Sequence, residues 1–329
     1  MRYRKLGSSD LQGSVVAFGA WAIGGGPWWG PTDDAESIRA LHAAIDAGVN
    51  LVDTAPVYGF GHSEEIVGKA VRDRRDQVIL ATKCGLWWDD ETGTAFFDQA
   101  GKTVRRSLSP RTLRVEVEQS LKRLQTDHLD VLQTHWQAVP PAATPIAETM
   151  ACLMDLKKQG KVRAIGVSNA TPAQMDEYRA AGTLDVCQPR YSMLDRKIEQ
   201  DVLPYCHGKA IATLVYSPLE QGLLTGAIGM DRELREDEYR NVIPWFRPDH
   251  RRKVLGLLAG WKDLTEKYRC AVGQLVIAWT VAQQGVTVAL CGARKAANAV
   301  ENAKAGDLEL EAADRNRMRR DVERLGAPA

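Results

Sequence analysis

Short runs of Val, Ile and Leu alternate with longer stretches whose apolar residues recur every three to four positions, almost from one end of the chain to the other. The short runs predict strands near Val16–Gly19, Asn50–Asp53, Val78–Lys83, Asp130–His135, Arg163–Ser168, Asp185–Pro189, Ala212–Tyr216 and Thr287–Cys291. The periodic stretches predict helices over Asp34–Ala47, Glu64–Val71, Thr112–Leu124, Ile146–Gln159, Pro172–Ala181, Glu199–His207, Val272–Ala282 and Ala296–Ala305. Thr32-Asp33 and Thr171-Pro172 read as helix starts, and Gly48, Gly160, Gly182 and Gly285 follow helix ends.

Strand and helix units that alternate in this way over 329 residues point to one α/β domain, a (β/α)8 TIM barrel over residues 1–329. An N-terminal hairpin around Arg2–Lys5 and Ser14 precedes it. A doubly wound sheet is the competing architecture, and it calls for a G-x-G-x-x-G loop after the first strand. Neither the glycines of Gly19–Gly26 nor those around Gly59 and Gly61 have that spacing. Two connections are too long for plain turns: Cys84 to Pro110, with Trp87, Trp88, Phe96 and Phe97, and Ser217 to Arg247, with Trp245. They follow the third and seventh strands and so read as lid loops on the catalytic face. The tail Ala312–Leu325 reads as a helix that covers the barrel.

Composition removes several classes of partner. With 43 basic and 42 acidic side chains the net charge is +1, which gives no reason to expect nucleic acid or a membrane surface. The six cysteines form no Cys-x-x-Cys pair and read as reduced structural thiols of a cytoplasmic protein. No apolar run reaches the roughly 18 residues of a membrane helix, and the N-terminus has no signal-peptide core. The histidines lack metal-ligand spacing, so no metal is expected.

Asp53 and Tyr58 follow the second strand, Lys83 ends the third and His135 ends the fourth. Each has an ordinary reading: a turn-forming aspartate, a loop tyrosine, a surface lysine, a core histidine. In a barrel, however, neighbouring strand ends bring such side chains together. A lysine beside the phenol lowers its pKa from about 10 toward working pH, and an aspartate keeps the lysine charged. That combination makes Tyr58 a general acid and leaves His135 to hydrogen-bond a substrate carbonyl.

Asp-Thr-Ala-x-x-Tyr-Gly at 53–59, Ala-Thr-Lys-Cys-Gly at 81–85 and Thr-His-Trp at 134–136 carry a resemblance to the aldo-keto reductase family, which extends from Tyr3 to about Asn302. The resemblance implies a catalytic tetrad of Asp53, Tyr58, Lys83 and His135 and a cofactor, NADPH/NADP+. It implies that Ser168, Asn169 and Gln188 meet the nicotinamide carboxamide and that Tyr216 stacks on the nicotinamide ring, with Trp21 also at the cofactor. Ser217, Leu219, Gln221, Gly222 and Leu224 would follow the pyrophosphate. Gly292, Ala293, Arg294, Asn298, Glu301 and Asn302 would hold the adenosine end. Arg294 and Lys295 stand where the family binds a 2′-phosphate, hence NADPH. Cys291 replaces a proline often found before that glycine. The strings Gly24–Gly30 and Gly59–Glu65 are similar to bacterial members associated with inositol, sugar or general aldehyde metabolism.

Trp21, Trp28, Trp87, Trp136, Trp245 and Arg247 are the expected substrate contacts. Indoles with a polar rim suit a polar, sugar-derived aldehyde. The alternatives are a general detoxifying aldehyde reductase and a non-catalytic NADP(H)-sensing subunit. A lyase that uses Lys83 as a Schiff-base nucleophile is a third, and it would have no use for Tyr216 or Arg294.

Overall fold

The computed structural model describes residues 1–328; Ala329, the last residue of the expected domain, lies outside them. β1 (Tyr3–Lys5) pairs antiparallel with β2 (Gln12–Ser14), which gives the expected hairpin. The chain then runs through β3 (Val16–Gly19), β4 (Leu51–Asp53) and β5 (Ile79–Cys84). Three short strands follow: β6 (Leu86–Trp87), β7 (Thr94–Gln99) and β8 (Lys102–Arg106). After them come β9 (Leu129–Thr134), β10 (Val162–Ser168), β11 (Val186–Gln188), β12 (Ala212–Tyr216) and β13 (Val288–Cys291). β3, β4, β5 and β9 to β13 close into a parallel barrel, with β13 paired to β3 through Leu290 opposite Ala17.

The helices α1 (Gly26–Trp29), α2 (Asp34–Asp46), α3 (His62–Val71) and α4 (Pro110–Leu124) belong to the first half of the chain. α5 (Ile146–Lys158), α6 (Pro172–Ala181) and α7 (Val202–Gly208) follow. α8 (Pro248–Ala259), α9 (Lys262–Tyr268), α10 (Val272–Val281), α11 (Ala296–Lys304) and α12 (Ala312–Leu325) complete the set. Asp33 caps α2 by accepting from the Glu36 N–H, and Thr171 with Gln174 forms a capping box on α6.

Strand alternation explains the interior. Side chains two apart on a strand point the same way. Leu51, Ala81, Val131, Val186 and Leu214 form one apolar layer inside the barrel, floored by Leu6 and Leu11 of the hairpin segment. One step toward the C-terminal ends, the same faces present Asp53, Lys83, Gln133, Gln188 and Tyr216. The strands therefore change from apolar to polar within a single layer, and that layer floors the site. Gly166 is needed there: a Cβ on it would lie 2.8 Å from Cγ of Gln133 and 3.2 Å from Cβ of Val186.

The two long connections differ from expectation. Cys84 to Pro110 is built around an antiparallel sheet of order β6-β8-β7, in which Ala100 and Gly101 make the turn with φ of 49° and 75°. Ser217 to Arg247 is a strap with 3-10 turns at Glu220–Thr225, Tyr239–Val242 and Pro244–Phe246. α1, α8 and α9 lie where no helix was predicted, and the helix expected from Glu199 starts at Val202 after a 3-10 turn. His135 falls one residue past β9. Among the described residues all six cysteines are free and five are buried. No helix among them is long and apolar enough to cross a membrane, and no three His, Cys, Asp or Glu side chains are grouped to hold a metal.

Candidate active site

Asp53, Tyr58, Lys83 and His135 meet at the C-terminal mouth of the barrel. Lys83 is fully buried, and its Nζ donates to Oδ1 of Asp53 at 2.5 Å, to the Thr54 carbonyl at 2.9 Å and to the Tyr58 phenol oxygen at 3.3 Å. The rings of Tyr58 and His135 stand edge to face with centroids 5.8 Å apart. Tyr58 reaches this place because the loop after β4 packs backbone to backbone on the loop after β3. Gly59 has φ 66°, and a Cβ on it would sit 2.4 Å from the Gly24 carbonyl oxygen.

A carboxylate and an ammonium buried together need their remaining valences filled. Oδ2 of Asp53 accepts from Nε2 of Gln133 at 3.1 Å and from Nε2 of Gln188 at 2.8 Å, and Gln188 also donates to Oε1 of Gln133 at 3.1 Å. The amide nitrogen of Gln188, expected to serve a cofactor carboxamide, is thus committed to orienting Asp53. Gln133 was not anticipated at all.

Burial pushes the Tyr58 phenol above its ordinary value; the Lys83 ammonium pulls it down and the Asp53 carboxylate pushes it up. On balance it is raised, contrary to the expected descent toward neutrality, because loss of water around the phenol outweighs the lysine. Burial alone would lower Lys83, but Asp53 and Tyr58 hold its ammonium above the usual range. With Nζ bonded to Asp53, the Thr54 carbonyl and Tyr58, Lys83 is not placed as the free amine that a Schiff-base mechanism uses. Burial, assisted by Lys83, holds His135 well below the ordinary imidazole value. A neutral imidazole and a protonated phenol are the two hydrogen-bond donors that a carbonyl oxygen requires.

Most of the remaining predicted cofactor positions lie at the ends of β10, β11 and β12 and in the segments that follow β12 and β13. Ser168 donates to the Gln188 carbonyl at 2.7 Å, and Asn169 donates to the His135 carbonyl at 3.1 Å while accepting from the Tyr216 hydroxyl at 2.9 Å. Ser217, Glu220 and Gln221 have φ of 62°, 46° and 49°, a run of left-handed backbone that the strap holds in place. Buried Glu220 is tied to Arg190 and Ser192, and Arg240 donates to the Gln221 carbonyl at 2.9 Å. Leu219 and Leu224 are buried beneath the turn, with Gly222 at its apex. Oε1 of Gln221 and Nε1 of Trp29 are buried and make no hydrogen bond within the chain. Beyond lie Gly292 and Ala293 after β13 and Asn298, Glu301 and Asn302 on α11; Asn302 donates to the Gly292 carbonyl at 3.3 Å. Arg294 donates to the Trp29 carbonyl at 3.2 Å.

The mouth is aromatic. Trp21 contacts Trp28, Trp29, Tyr58 and Tyr239 with centroids 5.1 to 6.2 Å apart. Trp136 packs on Phe96 at 5.4 Å, with the Arg106 guanidinium 3.8 Å from the Phe96 centroid and 4.9 Å from that of Trp136. Tyr239 of the strap stands beside Trp21, and Arg106 of β8 lies beside Trp136. Two expected tryptophans are buried. Trp87 is buried, donates to Asp90 at 2.7 Å and lies under Arg111. Trp245 is buried among Val254, Leu258 and other core residues, because α8 folds back over it. Arg247 is exposed at the start of α8.

The model of the Aldo/keto reductase family matches residues 15–322. The chain is 42% identical over 327 residues to the NADH-specific methylglyoxal reductase of Escherichia coli, covering 99% of each protein. It is 41% identical over 298 residues to an aldo-keto reductase of Bacillus subtilis, covering 90% of this chain and 86% of that one. Among solved structures, the glycerol dehydrogenase of Gluconobacter oxydans superposes with a TM-score of 0.87 at 38% identity, covering 99% of this chain and 96% of that one.

Proposed function

We propose a substrate and a cofactor form for a chain that belongs to the aldo/keto reductase family: it reduces a short, polar, polyoxygenated aldehyde to the alcohol and uses NADH. The chain is an oxidoreductase, and members of its family use a nicotinamide cofactor. The observation that carries the chemistry is the position of Lys83, bonded at once to Asp53 and to the Tyr58 phenol.

Ser168, Asn169 and Tyr216 would hold the nicotinamide end, Ser217 to Leu224 the pyrophosphate, and Gly292 to Asn302 the adenosine. When bound, the cofactor supplies a hydride to the carbonyl carbon. Tyr58 donates its phenolic proton to the carbonyl oxygen as charge builds there, and the adjacent Lys83 ammonium stabilises the phenolate that remains. His135, neutral, donates to the same oxygen and fixes its direction. Asp53, held by Gln133 and Gln188, keeps Lys83 charged and aimed. Hydride and proton together convert the carbonyl to an alcohol.

For the cofactor form, the NADPH expectation rested on Arg294 and Lys295, yet Arg294 is engaged with the Trp29 carbonyl at the end of α1. The E. coli relative is named for NADH. For the substrate, the relatives named for methylglyoxal and glycerol handle three-carbon, oxygen-rich molecules. Trp21, Trp28, Tyr239 and Trp136 crowd the mouth, and Arg106 adds a charged donor at its edge. That arrangement favours a small polar aldehyde, sugar-derived ones included, over a bulky aromatic one. The test is the ratio of kcat/KM for glyceraldehyde and methylglyoxal to that for 4-nitrobenzaldehyde, corrected for hydration. A ratio above one supports the reading. A tenfold preference for the aromatic aldehyde, about 1.4 kcal/mol of transition-state binding, replaces it with a general detoxifying reductase.

A further inference from the structure

The start of α11 receives an anion from the chain itself. Its N-cap, Lys295, makes no side-chain capping bond, and its first residues, Ala296 and Ala297, have no polar side chain. The first N–H groups of a helix need outside partners. The Ala296 N–H finds one in Oε1 of Glu36, at 3.4 Å, from the first turn of α2. Oε2 of the same carboxylate accepts from Arg39 at 2.7 Å, and the Glu36 N–H is held by the Asp33 cap at 2.9 Å. Glu36 is therefore fixed at both backbone and side chain, with its charge against the helix end.

Arg294 does not offset that charge. Its guanidinium donates to the Trp29 carbonyl at the end of α1 and stands near Arg232, Arg235, Glu238 and Arg240 of the strap. The ion pair of Glu36 is with Arg39 on its own helix. At the positive end of α11, where a phosphate would otherwise be favoured, the chain has thus placed a carboxylate.

We propose that Glu36 is a specificity-determining residue that selects NADH over NADPH. The inference rests on the adenosine lying along Gly292–Asn302. A ribose 2′-hydroxyl is a hydrogen-bond donor and pairs with a carboxylate. A 2′-phosphate offers only acceptor oxygens and about two negative charges, so it meets repulsion and must displace the Glu36–Ala296 contact.

The experiment is calorimetric titration of the full chain with 5′-AMP, with adenosine 2′,5′-bisphosphate, and with NADH and NADPH, for wild type and for Glu36→Gln and Glu36→Ala. Wild type should bind NADH at least tenfold more tightly than NADPH, with the gap narrowing as salt is raised. Glu36→Gln should tighten the bisphosphate at least tenfold while changing 5′-AMP less than threefold. Glu36→Ala should move the same way, and because Asp33 still caps α2, both variants should melt within a few degrees of wild type. A wild type that prefers NADPH, or variants that shift both adenosine ligands equally or neither, overturns the role of Glu36. A wild type that binds neither NADH nor NADPH overturns the cofactor reading beneath it.

Discussion

Nζ of Lys83 lies 3.3 Å from the phenol oxygen of Tyr58 and stands over its ring 5.0 Å from the centre, so the ammonium is nearer the oxygen than the ring centre. Its other bonds, to Asp53 and Thr54, fix it there. Lys83→Met should lower kcat at least 100-fold. It also leaves the Asp53 carboxylate buried without its cation, a loss of about 3–5 kcal/mol by analogy with other broken buried pairs. The double variant Asp53→Asn, Lys83→Met should regain much of that stability, measured by denaturant melts, but none of the activity. Recovery of activity would show that the pair serves folding alone.

The pH profile follows from the directions of the two shifts. Reduction needs Tyr58 protonated, and its pKa is raised, so activity is lost only as pH climbs past its ordinary value of about 10. His135 is held well below 6.5 and stays neutral through the physiological range. With a hydride-limited aldehyde, kcat/KM should therefore be flat from about pH 6 to 9. An inflection near 6.5 that His135→Gln abolishes would contradict the neutral-donor role.

Glu116 on α4 is buried behind the site, where its Oε2 accepts from the Gly85 N–H at 2.9 Å while Oε1 has no partner. Burial raises its carboxyl well above the usual value; the Gly85 N–H works against this and nearby Glu64 adds to it. The folded state then holds a proton that the unfolded state releases above about pH 4.3. This contribution to stability is complete below the unfolded value and is lost as pH rises toward the raised one. Glu116→Gln should keep the Gly85 contact and flatten the dependence of Tm on pH over that window. A slope unchanged by the substitution would mean that Glu116 is ionised in the fold.

Trp245 and Trp28 separate packing from recognition. Trp245→Ala opens a cavity in the buried cluster under α8 and should cost about 3–5 kcal/mol, with KM unchanged in the protein that still folds. Trp28→Ala, at the mouth against Trp21 and Tyr239, should raise KM for the aldehyde and shift stability far less. The opposite pattern would return Trp245 to the substrate site.

The eight barrel strands were legible because each is a short apolar run bounded by turn residues, and their ends placed Asp53, Lys83 and His135 within a residue of the mouth. Gln133 was readable in principle: it shares the inward parity of Val131 and sits two residues before His135. A tryptophan in an apparent loop has no such signature, so Trp87 and Trp245 could be placed only by what folded over them. The helices after Arg247 did leave a trace, since Val254, Leu258, Trp261 and Leu264 recur at helical spacing among charges. The β7–β8 hairpin left one too, at Ala100-Gly101. Glu36 against Ala296 joins residues 260 positions apart, and no local pattern announces it.

Replacement of Tyr58 by Phe tests the central claim most directly, because it removes one oxygen and leaves the ring between Trp21 and His135. Single-turnover kinetics with NADH and methylglyoxal, alongside a titration of NADH binding, separates chemistry from cofactor affinity. The account predicts a hydride-transfer rate lower by about 10²–10⁴-fold, the usual contribution of a general acid, with NADH affinity within about twofold of wild type. A variant that keeps more than half of the wild-type rate would contradict the assignment of Tyr58 as the proton donor.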